Sequence, residues 1–308
     1  MNKNKGIIYV LIGAASFGFT PIFAKLAFNL NYTLGQLNIA QMIISCLILW
    51  SLVLIKRPTL KGLSKINIIK IMITGTSVGL TTVFYYASMQ YLPASLAIIL
   101  LFQFVWIVIL FEWIFNKTKP SKASMISIIL ILAGVLFASD ILYGSIQGFP
   151  LIGFVFGILS AFTYAGFIFF SGKVATHVDP WVRSSFMVTG SLILVLLIFI
   201  KDIPSVPPVN DSLWLIALGV ALFGAVLPPL FYALGAYRIT AGLANILTSV
   251  ELPVSIILAS IILSESINLM QWLGVLLIIS SIIMNEIGFP LRRFSKRETE
   301  IHEKRSAS

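Results

Sequence analysis

The sequence predicts an all-α integral membrane protein of ten transmembrane helices, arranged as two inverted five-helix repeats. Three features carry that reading: long apolar runs, cations confined to alternate connections, and a likeness between the two halves. The 308 residues are 58% hydrophobic and 10% charged, with a mean hydropathy of +1.01. Soluble domains carry about 25% charged residues, so this chain lacks the material for a solvated coat. Its apolar runs reach about 18 residues or more, the length that crosses the hydrocarbon core.

The runs place spans at 6–28, 34–55, 66–91, 94–115, 122–140, 150–172, 181–200, 212–236, 240–263 and 268–287. Helix is the expected form, because lipid leaves backbone polar groups no outside partner and the runs lack the two-residue alternation of barrel strands. The first run, flanked by Lys3 and Lys5, is too long for a signal peptide, and Lys25 interrupts any clean cleavage site.

Of the 21 cations, all but Lys25 and Lys201 fall at one set of connections: Lys3 and Lys5; Lys56, Arg57, Lys61, Lys65 and Lys70; Lys117, Lys119 and Lys122; Lys173 and Arg183; Arg238; and a tail from Arg292 to Arg305. Positive charge marks the cytoplasmic side. Both termini are therefore expected in the cytoplasm of a multi-pass cell-membrane protein, and the number of crossings is even. The polar tail, 291–308, reads as a solvated end that can touch anionic lipid.

The halves, 1–146 and 147–290, match in register. Ile8, Gly13, Ser16 and Phe23 align with Ile152, Gly157, Ser160 and Phe167. Tyr86, Ala87 and Tyr91 align with Tyr232, Ala233 and Tyr237, and Ala94, Leu96, Ala97, Ile99 and Leu100 with Ala241, Leu243, Ala244, Ile246 and Leu247. A unit with an odd number of spans inserts upside down when duplicated, and inverted repeats are a common plan of secondary transporters.

At this point the sequence resembles the drug/metabolite transporter superfamily, in its ten-helix EamA-type branch. The residues that carry the resemblance are Ser16-Phe17-Gly18-Phe19 with a later Lys25, Ser249-Val250-Glu251-Leu252-Pro253-Val254 running to Ser264-Glu265, and Gln271-Trp272-Leu273-Gly274. Phe17 stands where the family usually has Trp. Trp106 and Thr118 occupy the first-half positions of Pro253 and Glu265, so nothing is carried over to them. The resemblance implies transport, often export, of amino acids, amines or other metabolites, and it draws Lys25 toward the transport pathway.

The net charge of +10, from 21 Lys plus Arg against 11 Asp plus Glu, would suggest nucleic acid in a soluble chain; here the cations are topology signals, and no nucleic-acid partner is expected. The single cysteine, Cys46, allows no intrachain disulfide or cysteine metal cluster. Metal-binding HExxH pairs, Walker loops and nucleotide-binding glycine fingerprints are missing, so no cofactor, no metal and no ATP-driven step are expected. An intramembrane lipid-handling enzyme would need clustered His, Asp or Ser at midplane depth, and a channel would need a filter motif. The sequence leaves the oligomeric state open.

Glu251 is the sharpest chemical signal. It lies about 17 Å from either end of its span, at ~1.5 Å rise per residue, and a carboxylate at that depth usually faces a cavity or a partner. Asn245, Thr248, Glu251 and Ser255 share one sector of the helix. Pro253 frees a carbonyl one turn earlier and favours a kink, and Pro228-Pro229 should break the eighth span.

Polar stripes run through the third span (Ser77, Thr81, Tyr85, Ser88) and the sixth (Ser160, Thr163, Tyr164, Ser171), although hydroxyls also serve ordinary helix packing. Tyr85, Tyr164 and Tyr232 are the better cargo candidates, since an aromatic lining suits a cationic or aromatic molecule. By position alone Lys25 snorkels to the outer headgroups. Glu112, Glu265 and Glu286 sit near span ends and read as interfacial, and His177 and His302 as solvated. The expected partners are a small-molecule cargo, membrane lipid and protons as coupling ion. Two transport readings stand side by side, a metabolite transporter and a proton-coupled exporter of cationic drugs.

The charge pattern predicts that a reporter fused at residue 145 reads as extracellular and one at residue 305 as cytoplasmic. A cytoplasmic signal at residue 145, or an extracellular one at residue 305, would be incompatible with ten crossings.

Overall fold

The computed structural model describes residues 3–92, 94–117, 119–138, 150–262 and 268–283. The boundaries expected between 146 and 147 and at 290, the tail, and Thr118, Ser264, Glu265, Glu286 and His302 lie outside the described residues. Among the described residues the chain is helical and without strands. Eight helical stretches are long and apolar enough to cross a membrane, and two shorter apolar helices accompany them. Together they coincide with the ten spans read from the sequence.

The helices are α1 (Lys3–Phe17), α2 (Thr20–Asn29), α3 (Leu34–Lys56), α4 (Lys65–Tyr91), α5 (Ala94–Leu101), α6 (Phe104–Asn116), α7 (Lys122–Ala138), α8 (Leu151–Ser171), α9 (Pro180–Ile198), α10 (Ser212–Val220), α11 (Leu227–Gly235), α12 (Ala241–Thr248) and α13 (Glu251–Ile262). The last, α14, is Leu269–Ile283. Several starts follow from local chemistry. Thr33 and Gln36 form a reciprocal capping box before α3. Ser64, Asp179, Asp211 and Thr240 accept backbone N–H bonds at the starts of α4, α9, α10 and α12.

Fewer spans are continuous than the apolar runs suggest. The first is broken at Gly18–Phe19, the fourth at Phe102–Gln103 and the ninth at Ser249–Val250. The eighth passes through a π-helical turn, Ala221–Val226, just before Pro228 and Pro229. Two prolines cannot donate into the helical ladder and their rings crowd the carbonyls a turn earlier; a π turn absorbs the mismatch without ending the span. Pro253 falls in the first turn of α13, where its missing N–H is not needed. In place of the expected kink at Pro253 there is a full break at Ser249–Val250, directly before Glu251.

The packing repeats itself when the halves are exchanged. The third span, α4, packs on the sixth and seventh, α8 and α9; the eighth, α10 and α11 with its π turn, packs on the first and second, α1 and α3. The second and seventh pack on each other. Between the fifth and tenth, Ser127 Oγ donates to the Ser281 carbonyl (3.4 Å) and Ser281 Oγ to the Ser127 carbonyl (2.9 Å). Further along, Gly134 meets Gly274, and the Gln271 amide donates to the Ala138 carbonyl (3.4 Å). Numbers rise on α7 as they fall on α14, so the pair is antiparallel. A two-fold axis relating antiparallel membrane-crossing helices lies in the membrane plane, which is the geometry of an inverted repeat.

The tightest crossing joins α4 to α9. A Cβ at Gly75 would overlap the Met187 backbone, and one at Gly190 would overlap the Met72 backbone. At Gly166 on α8, by contrast, an added Cβ would meet only Ser77 Cβ, at 3.9 Å. Gly75→Leu should therefore lower the melting temperature in detergent, at an overpacking cost of about 1–3 kcal/mol, while Gly166→Ala leaves it unchanged or raises it. Equal behaviour of the two variants would remove the crossing as a determinant of stability.

Candidate functional site

Three of the four helix interruptions converge on one residue. Glu251 opens α13 and is fully buried. The break in the first span lies against it: a Cβ at Gly18 would sit 2.8 Å from the Glu251 carbonyl oxygen. Ser255, one turn further along α13, donates to the freed Gly18 carbonyl (2.8 Å). The break in the fourth span supplies Phe104, whose ring meets Tyr164 edge-on at 4.9 Å.

Tyr164 links these parts. Its hydroxyl donates to Glu251 Oε2 (3.0 Å), and its ring stacks on Phe17 (5.3 Å). Glu251 Oε1 has no hydrogen-bond partner. The hydroxyls of Tyr85, Tyr86 and Tyr232 lie within electrostatic reach of the carboxyl. Tyr85 and Tyr86 are buried; the Tyr85 hydroxyl is unpartnered, and that of Tyr86 faces the Gln41 side chain. Tyr232 and Thr248 bond through their hydroxyls, and Thr248 donates onward to the Ala244 carbonyl (2.7 Å). Phe167 closes on Tyr232 at 4.9 Å between ring centroids. No Lys or Arg among the described residues acts on Glu251.

The structure thus gathers Tyr85, Tyr164, Tyr232, Thr248 and Glu251 as one cluster. Asn245 is also fully buried, but its amide donates to the Val105 carbonyl (2.6 Å), just beyond the break in the fourth span, and its own oxygen is unpartnered. Lys25 is not gathered in; it is on the exposed side of α2. Pro253 lies two residues beyond Glu251, and Pro228 and Pro229 are buried in the eighth span.

Sequence reasoning passed over several members. Tyr86 already aligned with Tyr232 in the repeat, and that equivalence was the available signal. Phe104 occupies, in the register of Ala94 with Ala241, the first-half position of Glu251. Gln41 and Thr20 meet at Gly224 in the π turn, each with an unpartnered oxygen; the Gln41 amide donates to the Val220 carbonyl (3.4 Å).

Two ionisable groups near span ends bond to the backbone of other spans. Glu112 Oε1 accepts the Gly242 N–H (3.0 Å) and so ties the fourth span to the start of α12. Arg183, counted from the sequence with the connections, is buried in the first turn of α9, where it donates to the carbonyls of Ala233 and Val174. His177 is exposed and contacts the Asn67 amide (3.0 Å) and the Gly62 carbonyl (3.3 Å).

The profile of the EamA-like transporter family matches the chain twice, over residues 4–140 and 151–286. The chain belongs to the EamA-like transporter family. Among curated proteins, the uncharacterized transporter sll1319 of Synechocystis is 27% identical over 207 residues, covering 66% of this chain and 61% of that protein. The uncharacterized transporter YetK of Bacillus subtilis is 29% identical over 178 residues, covering 56% of this chain and 53% of that one. The chain thus spans between half and two thirds of the length of these relatives. A solved crystal structure superposes with a TM-score of 0.76 at 15% identity, over 93% of this chain and 98% of the other, and shares the fold.

The chain is thus a multi-pass membrane protein of the EamA-like transporter family. Each family match covers one five-span half, and Glu251 with Tyr232 and Thr248 comes from the second match while Tyr85 and Phe104 come from the first. The site is built between the two.

The hydrogen bond from Tyr164 sets a testable asymmetry. Tyr164→Phe leaves both Glu251 oxygens unpartnered and should destabilise the protein by about 1–3 kcal/mol, the cost of an unsatisfied buried group. Tyr85→Phe removes a hydroxyl that has no partner and should be neutral or stabilising. Thermal unfolding of both variants in one detergent checks the order; the reverse order would separate Tyr164 from Glu251.

Proposed function

We propose that the protein is a secondary transporter of the cell membrane, with both termini cytoplasmic, that moves a small metabolite by alternating access around Glu251. The observation that carries this reading is a fully buried carboxyl at a helix break, held by one tyrosine and with its second oxygen open. Intramembrane acids are costly, and they mark substrate and ion pathways. Discontinuous helices that frame such a group at the repeat interface are the usual site architecture of secondary transporters.

The surroundings favour a cargo that carries an amine. Glu251 offers an acceptor, four tyrosines provide ring faces and hydroxyls, and no described cation competes for the carboxyl. An ammonium group gains from both the carboxylate and the aromatic faces. The same carboxyl can carry a proton in place of the cargo, and mutual exclusion at one group couples the two fluxes. On this reading an exporter of cationic compounds and an amino acid or amine transporter share one mechanism and differ in the space around it.

Glu251→Gln keeps the shape and removes the titration. In proteoliposomes loaded with a pH-sensitive dye and challenged in turn with amino acids and amines, the wild type should show a cargo-dependent internal pH change. Glu251→Gln should insert and fold but lose that signal, while Glu251→Asp retains a small part of it. A variant that transports at the wild-type rate with the same pH dependence would make Glu251 a packing residue.

A further inference from the structure

Away from the Glu251 cluster, α4 and α8 leave a gap on the outside of the bundle. It is a cavity of about 360 Å³ lined by Lys70, Ile73, Thr74 and Ser77 from α4, Thr163, Gly166 and Phe170 from α8, and Val174 just beyond. Lys70 and Ile73 are exposed. The gap stays open because Gly166 has no side chain to fill it. From Lys70 to Ser77 it descends about 10 Å along α4, at ~1.5 Å per residue. Beyond Ser77 the helices close where Thr81 Oγ1 donates to Thr163 Oγ1 (3.0 Å).

Thr74, Phe170 and Val174 form the inner wall of this cavity, and behind them runs a narrow seam with no room for a water molecule. Arg183 lines the far side of that wall. It is 2% exposed, its Nε has no partner, and its other bonds go to backbone carbonyls. No carboxylate among the described residues offsets this charge; the ring of Tyr237 lies 5.9 Å from the guanidinium carbon. Lys173 is engaged elsewhere, with Asn116 Oδ1 (2.7 Å) and over the Phe169 ring (3.4 Å).

We propose that the α4–α8 groove is a binding site for an anionic phospholipid, whose phosphate rests at Lys70 and whose acyl chain lies along Ile73, Gly166 and Phe170. The occupant follows from the chemistry of the lining. The mouth is cationic and backed by a buried, uncompensated guanidinium, and the floor is apolar. Basic pockets between transmembrane helices on the cation-rich side select anionic headgroups in this way. A free anion would meet the same Lys70 but would gain nothing from the apolar floor.

The test compares melting temperatures in nanodiscs of phosphatidylcholine alone and of phosphatidylcholine mixed with phosphatidylglycerol, with native mass spectrometry to count the phosphatidylglycerol retained. The wild type should melt higher in the mixture and retain bound phosphatidylglycerol. Gly166→Leu fills the groove without changing any charge, and Lys70→Gln removes an exposed charge without touching the core. Both should match the wild type in phosphatidylcholine alone and lose more than half of the rise. A full rise in Gly166→Leu, the absence of a rise in the wild type, or an equal rise on adding inorganic phosphate to phosphatidylcholine nanodiscs would each overturn the lipid site. None of these readouts depends on transport, so they stand or fall separately from the role of Glu251.

Discussion

The bilayer offers no partner to a backbone N–H or C=O, and every interruption of a helix in this protein has to be resolved inside the bundle. Polar side chains from other spans supply the missing donors. Ser255 serves the Gly18 carbonyl at the break in the first span, and Asn245 serves Val105 beside the break in the fourth. Gln41 serves Val220 where the π turn begins, and Arg183 serves Ala233 near the end of the same span. These four polar groups are thus committed to backbone carbonyls at or near the interruptions. Glu251 is different in kind: it is an acceptor with nothing of the backbone to mend, and one of its oxygens is unspent. Subtracting the structural duties of the buried polar groups isolates it more sharply than depth alone.

That constraint also explains what the sequence could and could not reveal. Spans are legible because hydrocarbon demands contiguous apolar length, and Leu34–Lys56 and Lys65–Tyr91 match their apolar runs to within one residue at each end. Interruptions are legible only where a proline announces them. Pro228-Pro229 pointed to the eighth span, but as a π turn the break starts several residues earlier, because the prolines disturb the turn before them. Phe102–Gln103 carries neither proline nor glycine, and composition there looks like any apolar helix. Only the repeat register, which pairs it with Ser249–Val250, marks it.

Charged residues show the same limit. Counting cations by connection assumes that each lies in water, and for most this serves. Arg183 fails because Asp179 caps α9 and Pro180 begins it, which places residue 183 in the first helical turn, facing α11. The register of a helix start, set by one capping residue, decides whether an arginine is a topology signal or a buried donor. Lys25 runs the other way: family resemblance drew it toward the pathway, and it stands on the exposed side of α2, apart from the Glu251 cluster.

The halves differ at several positions where they meet. Gly18, Pro228, Pro229 and Glu251 face Phe162, Thr82, Val83 and Phe104 at the matching positions of the other half. Helix-breaking and acidic residues therefore stand opposite helix-forming and apolar ones. Residues related by a two-fold axis approach each other only near that axis. Glu251 and Phe104 are such a pair, and both touch Tyr164, one through its hydroxyl and the other through its ring edge. The carboxyl accordingly lies close to the pseudo-two-fold. If the two conformers of alternating access exchange the roles of the halves, a group far from the axis would travel with its half, whereas one near it stays in place while the walls move. Under the proposed alternating access, a single acid can then face both sides in turn, and the first repeat needs no acid at Phe104.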